Sequence, residues 1–120
     1  MKILLIETSR TYSRGTKGIR MSLPLGLLYT AASLENAKYS VSIYSCLCSQ
    51  STRVIEHEGV IHHGVDDDDF KDMIIKEDPD IVGISCPFTA QFDQYLYASK
   101  LVKEVDKNIF VVGGGPHFSV

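Results

Sequence analysis

Four short apolar runs, each separated from the next by a stretch long enough for a helix, leave this chain few architectures. The runs fall at residues 2–6, 41–46, 80–85 and 108–112. They are rich in isoleucine and valine and too short for helices. The spacers carry helix signals. Residues 24–35 follow Ser22, a candidate cap, with Pro24 in the first turn. Their apolar face is broad: Leu25, Leu28 and Ala32, with Leu27, Ala31 and Leu34 beside them. Asn36 is the expected left-handed stop. A second helix opens at Asp66 or Asp67 and runs to about Glu77, where Pro79 ends it. Four consecutive aspartates suit its N-terminus, and Phe70, Met73 and Ile74 form its inner stripe. A third helix spans residues 89–106, with Phe92, Tyr95, Leu96, Ser99, Val102 and Val105 facing inward.

The resulting order, β-α-β-α-β-α-β, predicts an α/β fold. It is a Rossmann-like (flavodoxin-like), doubly wound parallel sheet of about four strands in three α/β/α layers. The 120 residues and 44% hydrophobic content fit one domain with a real core. Two stretches resist reading. Residues 8–22 are polar and basic without periodicity and read as a long loop, of the kind that is often functional. Residues 47–65 show no clear period.

Composition excludes several functions. The net charge of −3 gives no global attraction to nucleic acid or to a membrane surface. No apolar run is long enough to span a bilayer, and the start is too quickly polar for a secretory signal. Three cysteines in no framework spacing fit a reducing cytoplasm.

In open parallel sheets ligands bind beyond the carboxyl ends of the strands. Three loops leave such ends: residues 8–22, residues 85–89 and residues 113–117. Together they supply hydroxyls, backbone N–H groups, glycines and one histidine, which points to a small-molecule crevice without a nucleophile constellation. The glycines remove side chains where the last strand meets its loop, permitting positive φ and close approach of a ligand. Taken singly, Gly83, Ser85 and the glycine trio also serve helix–sheet packing. Neither Gly-x-Gly-x-x-Gly after the first strand nor Gly-x-x-x-x-Gly-Lys-Ser/Thr is present, which argues against nicotinamide and nucleoside-triphosphate sites.

Other constellations are weaker. His57-Glu58 and His62 miss the His-Glu-x-x-His spacing by one residue, and Gly59 and Gly64 oppose a helix there. The expectation is a solvated loop before a helix cap, with no metal site. Cys46 and Cys48 lack a second pair. Cys86 has no base placed beside it, so no catalytic residue is assigned. Residues 66–69 sit at a helix start, whereas a receiver-type acidic pocket needs an aspartate ending a central strand. Thr8-Ser9-Arg10-Thr11-Tyr12-Ser13 has some character of a flavin phosphate loop. A non-catalytic flavodoxin-like or receiver-type module, binding FMN or a protein partner, is therefore the alternative.

Three stretches in order carry a family resemblance. They are Leu23-Pro24-Leu25-Gly26-Leu27-Leu28-Tyr29 with Ala31-Ala32-Ser33-Leu34-Glu35, then Pro79-Asp80-Ile81-Val82-Gly83-Ile84-Ser85-Cys86, then Val111-Val112-Gly113-Gly114-Gly115-Pro116-His117. The chain resembles the N-terminal cobalamin-binding domain of B12-dependent radical SAM proteins, the group that includes magnesium-protoporphyrin cyclase. The resemblance implies a corrinoid cofactor, with the serine region and the glycine turn lining the tunnel for its nucleotide tail. The cofactor-binding residues implied are Thr8, Ser9, Arg10, Pro24, Gly26, Ser85, Cys86, Pro87, Thr89, Gly113, Gly114, Gly115, Pro116 and His117.

The Asp-x-His-x-x-Gly motif of the broader B12 fold is replaced by Glu7-Thr8-Ser9-Arg10-Thr11-Tyr12, so no histidine there would hold the cobalt. The radical SAM branch commonly lacks that motif. The resemblance also implies that the domain is incomplete at its C-terminus. A radical SAM domain with S-adenosylmethionine and a [4Fe-4S] cluster is expected beyond residue 120, as the fragment's partner. A homodimer through an exposed sheet edge is a further expectation.

Overall fold

The computed structural model describes residues 1–13, 25–85 and 92–114. Four strands form one parallel sheet: β1 (Lys2–Glu7), β3 (Ser40–Ser45), β6 (Ile81–Ser85) and β7 (Phe110–Gly114). Their spatial order is β3-β1-β6-β7. The chain runs outward from β1 to β3, then returns past β1 to β6. The topological switch therefore falls between β1 and β6, where ligands of open α/β sheets bind. This is the Rossmann-like α/β fold that the alternation of runs predicts.

Alternation along β1 sorts its side chains between two layers. Leu4 and Ile6 join Val82 and Ile84 against α2 (Asp67–Glu77) and α3 (Phe92–Val105). Ile3 and Leu5 face α1 (Leu25–Asn36), where Ala31 is buried and Leu27 and Leu34 pack beside it. Burying each large aliphatic side chain contributes about 1.5–3 kcal/mol.

Helix ends follow from local chemistry. The Asp66 side chain accepts a hydrogen bond from the Asp69 N–H at 2.8 Å, capping α2. Asp78 takes the left-handed conformation at its other end, just before Pro79. α1 ends later than Asn36 predicts. Lys38 adopts φ 68°, and the Tyr39 N–H donates to the Leu34 carbonyl at 3.1 Å. This is the six-to-one bond of a Schellman stop, which needs one left-handed residue and here takes lysine.

Several expectations are corrected. The inner row of α1 is Leu27-Ala31-Leu34, whereas Leu28 and Ala32 turn outward. In α3 the buried residues are Ala98, Leu101 and Val102, and Leu96 is half exposed. Gly113 and Gly114 are not a turn. They end β7, paired with Ile84 and Ser85, and neither has positive φ.

The larger correction is a second sheet. Residues 10–13, expected in a loop, form β2 (Arg10–Ser13). Residues 53–64 fold as a hairpin of β4 (Arg53–His57) and β5 (Val60–Gly64). The three strands pair antiparallel in the order β2-β5-β4. Its two-residue turn, Glu58-Gly59, has φ of 50° and 81°. Both are positive, as a type I′ hairpin requires. The expected solvated histidine loop is thus a strand, with His62 half-buried and His63 buried.

Candidate functional site

Register aligns a row of side chains at the carboxyl ends of the strands. Glu7 pairs with Ser45 on one side and Ser85 on the other, and Ser85 pairs with Gly114. Paired residues project to the same face, here the face that carries α1. Glu7 is 6% exposed. It accepts a hydrogen bond from the Ser45 hydroxyl at 2.6 Å and lies 3.9 Å from the Arg10 guanidinium.

Below this row the same face opens into a groove of about 690 Å³. α1 covers β1 and β3, but among the described residues no helix covers β6 and β7 on this side. Leu5, Leu27, Ile81 and Val112 form its walls. Its small residues fall into two kinds. A side chain at Gly83 would meet Leu5 Cδ2 at 2.8 Å, so that glycine serves packing. Side chains at Gly26 and Gly114 would meet nothing within 4 Å. Those two glycines hold space open.

The predicted site divides. Gly26, Ser85, Gly113 and Gly114 come together around the groove. Thr8 and Ser9 lie elsewhere, beside a cavity of about 40 Å³ with Cys46, His62 and Asp67. That cavity has room for little more than water. The Ser9 hydroxyl is engaged: it accepts from the Val65 N–H at 3.2 Å. Arg10 opens β2 beside Glu7. Pro24, Cys86, Pro87, Thr89, Gly115, Pro116 and His117 lie outside the described residues. Sequence reasoning missed Leu5, Leu27 and Val112 as groove walls. The period-2 alternation of the strands could have placed Leu5 and Val112 on one face with Ser85.

Among the described residues no cluster of three or more histidine, cysteine or acidic side chains is arranged for a metal ion. Tyr97 donates a hydrogen bond to Asp67, which pushes its phenol up to about 12. Burial pushes the Cys46 thiol up to about 12 from 9.0. At pH 8, iodoacetamide should therefore modify exposed Cys48 and spare Cys46, read by fragment mass spectrometry. The same shift makes stability pH-dependent. Below pH 9 the thiol is neutral folded and unfolded. Between pH 9 and about 12 only the unfolded chain ionises at Cys46, so this contribution to stability is lost across that window.

The parallel sheet thus carries on one face a groove flanked by a serine-ended strand and a glycine-ended strand. The chain belongs to the B12-binding domain family, whose model matches residues 22–120. It is similar to an uncharacterised methyltransferase of Pyrococcus horikoshii, 36% identical over 98% of this chain. It is also similar to cytidylyl-2-hydroxyethylphosphonate methyltransferase of Streptomyces wedmorensis, 33% identical over 97% of this chain. The chain spans 22% of each relative's length. No solved structure matches it significantly. Among the described residues no helix is long and apolar enough to cross a membrane.

Proposed function

We propose that this chain is the cobalamin-binding module of a methyltransferase of the B12-dependent radical SAM type. The observation that carries the reading is the groove itself. It is apolar, it lies beside Ser85 and Gly114, and side chains at Gly26 and Gly114 would occupy its open space. Those residues fit the nucleotide tail of a corrinoid, whose flat base needs a slot without side chains.

In this reading Ser85, Gly113 and Gly114 border the tail, and Gly26 lets it pass α1. Cys86, Pro87, Thr89, Gly115, Pro116, His117 and Pro24, close to these residues in sequence, are proposed with them as cofactor-binding residues. Thr8 and Arg10 follow β1 at the edge where the corrin would rest. Ser9 instead holds that edge in shape. Bound cobalamin would supply a cobalt centre able to accept and hand on a methyl group.

S-adenosylmethionine and a [4Fe-4S] cluster belong, in this proposal, to a radical SAM domain elsewhere in the parent protein. The methyltransferase names of both relatives support a methyl-transfer role. The free thiols of Cys46 and Cys48 accord with a cytoplasmic location. Among the described residues the outer edge of β7 has no strand beside it. It offers a place for self-association or a further strand.

Titration with hydroxocobalamin, followed by its visible spectrum and by co-elution on size exclusion, tests the reading. The same titration with FMN is the control. Cobalamin is expected to shift its spectrum and co-elute. Co-elution of FMN alone would show a flavodoxin-like module instead.

A further inference from the structure

The small antiparallel sheet ends at β4, which among the described residues has β5 on one side and no strand on the other. All five residues of β4 are exposed. They include two large aliphatic residues, Val54 and Ile55, 56% and 54% exposed. Proteins shield such an edge with lysine, proline or a bulge. β4 has no lysine or proline, and it pairs with β5 residue for residue, without a bulge. An edge of this kind accepts one class of partner, an extended strand.

The sequence of β4 says which strand. Arg53 opens it, Glu56 and Glu58 lie at its other end, and the two aliphatic residues stand between. A copy of the same strand laid antiparallel sets cation beside acid at both ends, whereas a parallel copy would stack like on like.

The register follows from the hairpin. Its two-residue turn makes His57 and Val60 a hydrogen-bonded pair, so by alternation Ile55 and His62 are another. The Ile55 backbone groups thus point toward β5. Across the outer edge Ile55 would meet its own copy as a non-hydrogen-bonded pair, the kind with the closest side chains. Arg53 of each copy would then lie opposite His57 of the other, beside Glu58, whose carboxylate is 3.8 Å from that imidazole and exposed. Centring on Glu56 instead would oppose two carboxylates. Centring on Val54 would draw on Thr52, whose N–H already donates to the Ser49 carbonyl at 3.2 Å.

We propose that the outer edge of β4 is a self-association surface, on which a second copy of this chain pairs antiparallel about a two-fold axis at Ile55. Two three-stranded sheets become one sheet of six strands, and both Ile55 side chains leave water. The inference stands apart from the cobalamin reading, since no residue of β4 lines the groove beneath Ser85. β7 suits a second copy less well. It carries no charge to match, and the glycines that end it specify register weakly.

Sedimentation equilibrium of the chain tests the proposal, over about 5 to about 500 μM, since a contact this small belongs to weak dimers with a dissociation constant on the order of tens of μM. Ile55→Lys should weaken the dimer at least about tenfold, with an unchanged urea midpoint. Phe110→Lys, on the exposed side of β7, should leave the dimer within about twofold of the parent's. Cross-linking reads the register separately. In a Cys48→Ser background, Ile55→Cys should oxidise to a covalent dimer at least about tenfold faster than Arg53→Cys or the background alone, because only position 55 faces its own copy.

A chain that stays monomeric across the range would overturn the proposal, and so would a dimer that Ile55→Lys leaves intact or that Phe110→Lys abolishes. Equal cross-linking at positions 53 and 55 would overturn the pairing about Ile55, and this comparison decides the matter if Ile55→Lys fails to fold.

Discussion

Replacing Gly64 with alanine is expected to lower folding stability by about 3 kcal/mol, the upper range for overpacking a rigid site. The new Cβ would lie 1.9 Å from Ser9 Oγ, 2.2 Å from Ser9 Cβ and 2.9 Å from Ser9 Cα. Rotating the Ser9 side chain relieves only the first contact, since Cβ and Cα belong to the fixed part of the residue. The strand would have to separate from the segment after β1, breaking the Val65 to Ser9 hydrogen bond. Urea denaturation should show a lower midpoint at an unchanged slope. The paired variant Ser9→Gly with Gly64→Ala removes the two closest collisions and should recover part of the loss. A midpoint equal to the parent's in Gly64→Ala would mean that β5 does not press on Ser9.

The second large effect is on binding rather than folding. Gly114→Leu adds a branched side chain whose Cβ would meet nothing within 4 Å, and the midpoint should stay close to the parent's. The added carbons would fill part of the groove beside Ser85 and Val112. Cobalamin affinity should then fall by about a hundredfold, the scale of forcing a bulky group into a filled site. Cobinamide, without a tail, should bind within about threefold of its affinity for the parent. Loss of both ligands to the same degree would place the tail somewhere other than this groove.

Much of the parallel sheet was legible because its signals are local. β1 and β6 are continuous apolar runs, and such runs report burial on both faces. The start of α2 is written in Asp66, and Pro79 marks its end, so both limits came out close to those observed. The phase of α3 was less legible. The large Leu96 drew the inner face toward itself, whereas Ala98, Leu101, Val102 and Val105 follow the cleaner i, i+3, i+4, i+7 row. Volume was mistaken for orientation.

The second sheet was hidden for a different reason. β4 and β5 contain Glu56, His57, His62 and His63, which break the apolar alternation that marks a strand. Their pairing is stabilised by contacts distant in sequence, between β2 and β5 and between Ser9 and Val65. One local clue was present: glycine as the second residue of the Glu58-Gly59 turn is a hairpin signal. The candidate site divided along the same line. Ser85 and the two glycines of β7 could be brought to one rim from strand order alone. Ser9 could not be separated from them without knowing that Gly64 lies against it.

That contact has a mechanical consequence. Ser9 follows the carboxyl end of β1 by two residues, and Val65, whose N–H it receives, precedes the cap of α2 by one. The small sheet is thus hinged to the rim and to the second helix at a single buried hydroxyl. If a corrin rests there as proposed, a push on the end of β1 would reach the N-terminus of α2 through Ser9 and Val65. That hydroxyl ties the end of β1 to the start of α2 independently of the sheet ladder.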